Sequence, residues 1–154
     1  MARYLLSLLL LFTLTACSDP QSESTANTPF APELEGILVT SAAPIVMANL
    51  RERDAFLYFL PLDCEACWEL LVKADKVREQ ANIIAVVTHT DNFVVYEKAR
   101  SHFINLLPIY ADHDENIAYD YDVEQTPLWV SVIKGKITTR SADLPTPLAS
   151  LLTP

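Results

Sequence analysis

Cys64 and Cys67 stand three residues apart in the run Phe59-Leu60-Pro61-Leu62-Asp63-Cys64-Glu65-Ala66-Cys67-Trp68. The run follows an apolar, strand-like stretch over 55–60 and opens a helix-like stretch that reaches about residue 80. Thiols at this spacing in a first helical turn reach disulfide geometry with little backbone movement. A thiolate there also meets the positive end of the helix dipole and unpaired backbone N–H groups. The chemistry implied is thiol–disulfide exchange. Cys64, nearer the exposed helix end, is the expected attacking thiolate, and Cys67 the thiol that resolves the mixed disulfide.

Asp63 and Glu65 flank Cys64. Negative charge disfavours a neighbouring thiolate and opposes the helix dipole. The Cys64 thiol is therefore expected not to be strongly acidified, which favours a reductant over a strong oxidant. The same acids would also be welcome at any solvated helix N-terminus, with no redox role.

Other uses of the pair need other ligands. Tetrahedral zinc requires two more, and His89, His102 and His113 lie at wide spacings. No metal site and no resident cofactor are therefore expected. Copper(I) can be held by two thiolates, so copper or haem-related delivery stays open. A binding scaffold that keeps its cysteines without turnover is the other alternative. Asp112-His113-Asp114-Glu115-Asn116 lacks the alternating ligands and closing Glu of a calcium loop and reads as a solvated turn and helix cap. Tyr110, Tyr119 and Tyr121 read as packing residues with wet hydroxyls.

The elements around the pair alternate. A short apolar run within 35–40 is a candidate first strand, and 44–50 is ambiguous between strand and helical turn. Residues 55–60 are apolar throughout, as a strand covered on both faces should be. Cys67, Leu70, Leu71, Ala74 and Val77 recur near helical spacing over 64–80. Residues 82–87 form a second buried strand, and 92–102 a helix with Asp91 as N-cap. Then come an extended stretch over 106–110 and a short helix over 114–121. A strand at 128–133, a Lys134-Gly135-Lys136 turn and a hairpin partner at 137–140 follow, then a terminal helix over 145–152. This order implies a three-layer α/β/α sandwich with a mixed central sheet.

Val123-Glu124-Gln125-Thr126-Pro127 precedes the 128–133 strand. With the Cys-x-x-Cys placement and the hairpin, it resembles the thioredoxin superfamily. The stretch 106–140 is most similar to the TlpA/ResA-like branch of membrane-tethered thiol–disulfide oxidoreductases. The resemblance covers about 34–152 and implies that Pro127 is a cis-proline. It also implies that Thr126 and Pro127 form the rim against which an extended partner binds. On local sequence alone a trans bond would be the expectation. Three departures stand out. Asp63 replaces the usual aromatic residue, Ala66 the usual Pro, and Tyr58 the buried carboxylate of thioredoxin itself. Glu65 resembles a Glu found between the cysteines in part of the branch, where it could serve in acid–base chemistry. Pro61, where peroxiredoxins carry a Thr, speaks against that family.

The N-terminus places this domain. Residues 1–16 read as an export signal, with Arg3 as the positive end and an apolar core over 5–14. Leu14-Thr15-Ala16-Cys17 resembles the lipobox of bacterial lipoproteins, which implies a lipid on Cys17. Residues 17–33, rich in Ser, Thr, Pro, Asn and Gln, read as a flexible tether spanning roughly 20–25 Å. The folded domain is expected over 34–154. The net charge of −9 argues against nucleic-acid binding and against membrane attachment through a basic face. Attachment would rest on the lipid. The expected location is the periplasmic face of a bacterial membrane, with Ser18 after the lipidated cysteine favouring the outer one. The expected partners are protein thiols and disulfides and a redox partner that the sequence does not name.

Overall fold

The computed structural model describes residues 30–34, 37–40 and 54–153. The export signal, Cys17, the tether up to residue 29 and the ambiguous stretch 44–50 lie outside the described residues.

Among the described residues, six strands form one mixed sheet in the order β1-β4-β3-β2-β5-β6. They are β1 (Ile37–Leu38), β2 (Ala55–Pro61), β3 (Ile83–Thr88), β4 (Ile109–Asp112), β5 (Leu128–Ile133) and β6 (Lys136–Ser141). The helices among the described residues are α1 (Glu65–Val77), α2 (Asn92–Ser101), α3 (Asn116–Asp120) and α4 (Thr146–Leu152). Strands β2, β3 and β4 run parallel, whereas β1, β5 and β6 pair antiparallel with their neighbours. The expected α/β sandwich with a mixed sheet is therefore the observed architecture.

Strand β2 is the centre of the molecule. Its residues alternate between two cores because successive side chains leave opposite faces of a strand. Phe56, Tyr58 and Leu60 join Trp68, Leu71, Val95 and Leu148 on the face covered by α1, α2 and α4. Ala55, Leu57 and Phe59 join Ile117, Ala118 and Tyr121 on the α3 face. Burial on both faces is why β2 and β3 carry no polar alternation and read as continuous apolar runs. Each fully buried large side chain contributes about 1.5–3 kcal/mol relative to exposure.

Local signals set the element ends. The Asp91 carboxylate accepts from Val94 N at 3.0 Å, as an N-cap should. The β5–β6 connection is a two-residue turn in which Lys134 (φ 50°) and Gly135 (φ 76°) both have positive φ. That geometry matches the twist of the paired strands, and glycine meets it without steric cost.

The structure departs from the sequence reading in several respects, among them that the stretch expected over 106–110 is a strand over Ile109–Asp112. Among the described residues, 30–33 already contact the domain ahead of residue 34: Phe30 bridges Lys136, Ala31 N donates to Gly135 O at 2.8 Å, and Tyr121 Oη donates to Pro32 O at 2.7 Å. Asp112 is not a solvated turn residue. It is buried at the end of β4, and its carboxylate accepts from Ile117 N at 3.1 Å and Ala118 N at 2.8 Å. Amides at a helix start have no intrahelical acceptor, so a carboxylate can be buried against them without loss. Tyr119 is 85% exposed and lies outside both cores, whereas Tyr110 and Tyr121 are core residues.

Candidate functional site

The site sits at the C-terminal end of the central strand. Strand β2 ends at Pro61, and Cys64 is the N-cap of α1. The chain thus passes from a strand fixed by neighbours on both sides to a helix docked on the sheet, with three residues between.

Cys64 and Cys67 are joined as a disulfide, with Cα atoms 5.2 Å apart. Their environments differ. Cys64 is half-buried, whereas Cys67 is 3% exposed and belongs to the core. Cys64 Sγ accepts from Cys67 N at 3.3 Å. In the reduced state, a thiolate at Sγ would receive this donor as a charge-assisted bond. The arrangement offers one sulfur to an incoming partner and keeps the other behind it.

Trp68 fixes the approach to the pair. Its indole is fully buried, and Nε1 donates to Leu62 O at 2.9 Å. On the sheet side, Tyr58 stacks on Trp129 with centroids 4.2 Å apart. Tyr58 therefore fills its position as an aromatic core residue, and burial raises its phenol above the ordinary value.

Glu65 is exposed, and its carboxylate is directed to α2. Oε2 accepts from Lys98 Nζ at 2.7 Å, and Oε1 lies 2.7 Å from His102 Nε2. The hydrogen bond from Lys98, then that from His102, lowers the Glu65 carboxyl below its usual value. Its neighbours hold it as an anion. His102 is fixed on two further sides: Nδ1 lies 3.0 Å from Lys98 O, and the ring stacks on Trp68 at 5.6 Å. Asp63 is exposed and makes no ion pair among the described residues.

Thr126–Pro127 is a cis peptide bond. Antiparallel pairing of β5 with β2 ends at Phe59↔Leu128. One register step further places Pro127 beside Leu60, at the end of the sheet where Cys64 lies. Pro127 is exposed and Thr126 half-buried. The fold thus brings Asp63, Cys64, Glu65, Cys67, Thr126 and Pro127 to one end of the sheet.

Lys98 and His102 were not singled out as site residues from sequence. They are four apart, Lys98 in the last turn of α2 and His102 at its C-cap, so they lie on the same side of the helix end. Nothing in sequence links them to Glu65, which lies 33 and 37 residues away. Among the described residues, no group of three or more His, Cys, Asp or Glu side chains is arranged to hold a metal ion.

No family model and no curated protein matches the chain. Solved structures do match. A secreted Mycobacterium tuberculosis disulfide oxidoreductase, homologous to E. coli DsbE, is 21% identical over 72% of this chain and 83% of its own, with a TM-score of 0.57. A putative protein disulfide isomerase from Bacteroides thetaiotaomicron is 19% identical over 81% of this chain and 84% of its own, at 0.64. The exposed lipoprotein thioredoxin of Streptococcus pneumoniae is 17% identical over 70% and 87%, at 0.58. The fold of this chain is thioredoxin-like.

Proposed function

We propose that this protein is a lipid-anchored, extracytoplasmic thiol–disulfide oxidoreductase that reduces disulfides in partner proteins. The observation that carries this reading is the asymmetric pair at the end of β2, with half-buried Cys64 capping α1 and Cys67 in the core behind it. A scaffold has no need of two sulfurs so differently exposed, and an exchange reaction needs both.

In the reduced state, the Cys64 thiolate attacks one sulfur of a partner disulfide. A Cys64–partner bond forms, and the other partner sulfur leaves as a thiolate. Cys67, deprotonated, then attacks Cys64 Sγ, forming the Cys64–Cys67 disulfide and releasing the second partner thiolate. The partner gains two electrons, and its thiolates take up the protons the pair lost. Re-reduction needs a dithiol donor outside the cytoplasm. Exposed Pro127 and half-buried Thr126 offer an extended partner segment a rim beside Cys64.

The reductant direction rests on Asp63, the acid before Cys64, which makes no ion pair among the described residues. The anchor rests on Cys17 in Leu14-Thr15-Ala16-Cys17, and Ser18 after it favours the outer membrane of a bacterium that has one. A secreted enzyme and an exposed lipoprotein among the structures of like fold support an extracytoplasmic place.

Trapping tests the reading. Cys67→Ser removes the resolving thiol, so the full-length chain should accumulate mixed disulfides through Cys64 in cells. The captured proteins would identify substrates and direction together. A Cys67→Ser chain that folds, exposes Cys64 and captures nothing would overturn the enzyme reading.

A further inference from the structure

Glu65 is the residue next to the attacking cysteine, yet its charge is engaged from another element. The Lys98 ammonium on α2 and the ring of His102, the C-cap of α2, each hold one carboxylate oxygen at 2.7 Å. The His102 side chain is 16% exposed and is fixed on three sides, by Glu65, by Lys98 O and by the Trp68 ring. Trp68 itself is tied to Leu62 O, in the loop that delivers Cys64. One connected set of contacts therefore runs from α2 through Glu65 and Trp68 to both sides of the reactive cysteine. Ion pairs whose carboxylate lies in solvent, as that of Glu65 does, contribute little to stability. Next to a half-buried sulfur, they decide instead how much negative charge the thiolate meets.

We propose that Lys98 and His102 are positioning residues that act through Glu65: together they hold its carboxylate toward α2, and Lys98 offsets its charge, which keeps Cys64 reactive despite its acidic flank. The proposal rests on the reading of Cys64 as the attacking sulfur. The titratable groups on the elements around the sulfur are Asp63 and Glu65 on its own segment, Lys98 on α2 and His102 at the C-cap of α2. Glu124 lies in the loop that leads to Thr126. Without the clamp, the Glu65 carboxylate is free to turn along the first turn of α1 and stands uncompensated beside Cys64. The thiolate is then disfavoured.

The test is the pH profile of Cys64 alkylation by iodoacetamide in the reduced full-length chain, read at the Cys64 peptide by mass spectrometry. Lys98→Met should move the midpoint up by about half to one pH unit, the effect of one uncompensated charge beside a partly exposed thiolate. Lys98→Arg, which keeps the charge, should leave it near the native position. Glu65→Gln should move it down. In a Glu65→Gln chain, Lys98→Met should move it by less than half as much as in the native chain, because its intermediary is gone. His102→Gln should act as Lys98→Met does, and Lys98→Met carries the test alone if loss of the Trp68 stack prevents His102→Gln from folding. Equal Lys98→Met shifts with and without Glu65, or no shift in either, would overturn the proposal. Failure of the enzyme reading looks different: Cys67→Ser captures no partner while the alkylation profile still responds to Lys98 and Glu65.

Discussion

Trp68 Nε1 donates to Leu62 O at 2.9 Å, which ties the first turn of α1 back onto the loop ahead of Cys64. A single side chain thereby couples the docking of the helix to the position of the reactive sulfur. Trp68 is fully buried and also carries the His102 ring on its face.

Trp68→Phe keeps most of the buried area but leaves the Leu62 carbonyl without its donor. We expect a loss of about 1–2 kcal/mol in denaturant unfolding. Trp68→Ala should cost about 3–5 kcal/mol. If Trp68→Phe left both stability and the rate of insulin disulfide reduction unchanged, the tie would have no function.

Asp112→Ala removes the buried acceptor of the Ile117 and Ala118 amides. A loss of about 1–3 kcal/mol is expected, with faster amide hydrogen exchange confined to α3. Asp112→Asn keeps one acceptor oxygen and should lose less. Equal losses for both variants would contradict the capping role.

A chain that begins at Leu34 loses the Ala31–Gly135 bond and the Tyr121–Pro32 bond. At about 0.5–1.5 kcal/mol for each hydrogen bond, it should unfold at lower denaturant than one that begins before Phe30. Coincident unfolding curves would show that residues 30–33 add nothing to the domain.

Tyr58, Tyr110 and Tyr121 all have phenols raised above the ordinary value of 10.0, chiefly by burial. A group whose folded-state value is raised contributes stability that is complete below the unfolded value and lost as pH rises toward the folded one. Stability should therefore fall above about pH 10. Tyrosinate absorbance from these three should appear together with unfolding, followed by circular dichroism. Ionisation of all tyrosines well before unfolding would contradict it.

Much of the fold was legible because its signals are local. Residues 128–133 were expected as a strand and are β5 to the residue, since a run of apolar residues bounded by Pro127 and a Lys-Gly turn leaves little choice. Asp91 and the β5–β6 turn were legible for the same reason. The helix face was less so. Leu70 and Val77 are half-buried, and Trp68 lies in the core beside Cys67, Leu71 and Ala74. Periodicity finds a stripe but not which edge of it faces the sheet.

The sequence by itself determined that two cysteines three apart lie between a buried strand and an amphipathic helix, in an α/β chain of acidic character. Those properties follow from neighbours within a turn or two of the chain. Tertiary structure decided the rest. The cis form of Thr126–Pro127 agrees with what the superfamily resemblance implied, whereas its local sequence alone favours trans. Asp112 became a buried cap only because β4 ends where α3 begins. Glu65, open to solvent by its sequence, met Lys98 and His102 because α1 and α2 pack on the same face of the sheet. Charges that act across such distances along the chain are set by how helices dock, and no spacing in the sequence records it.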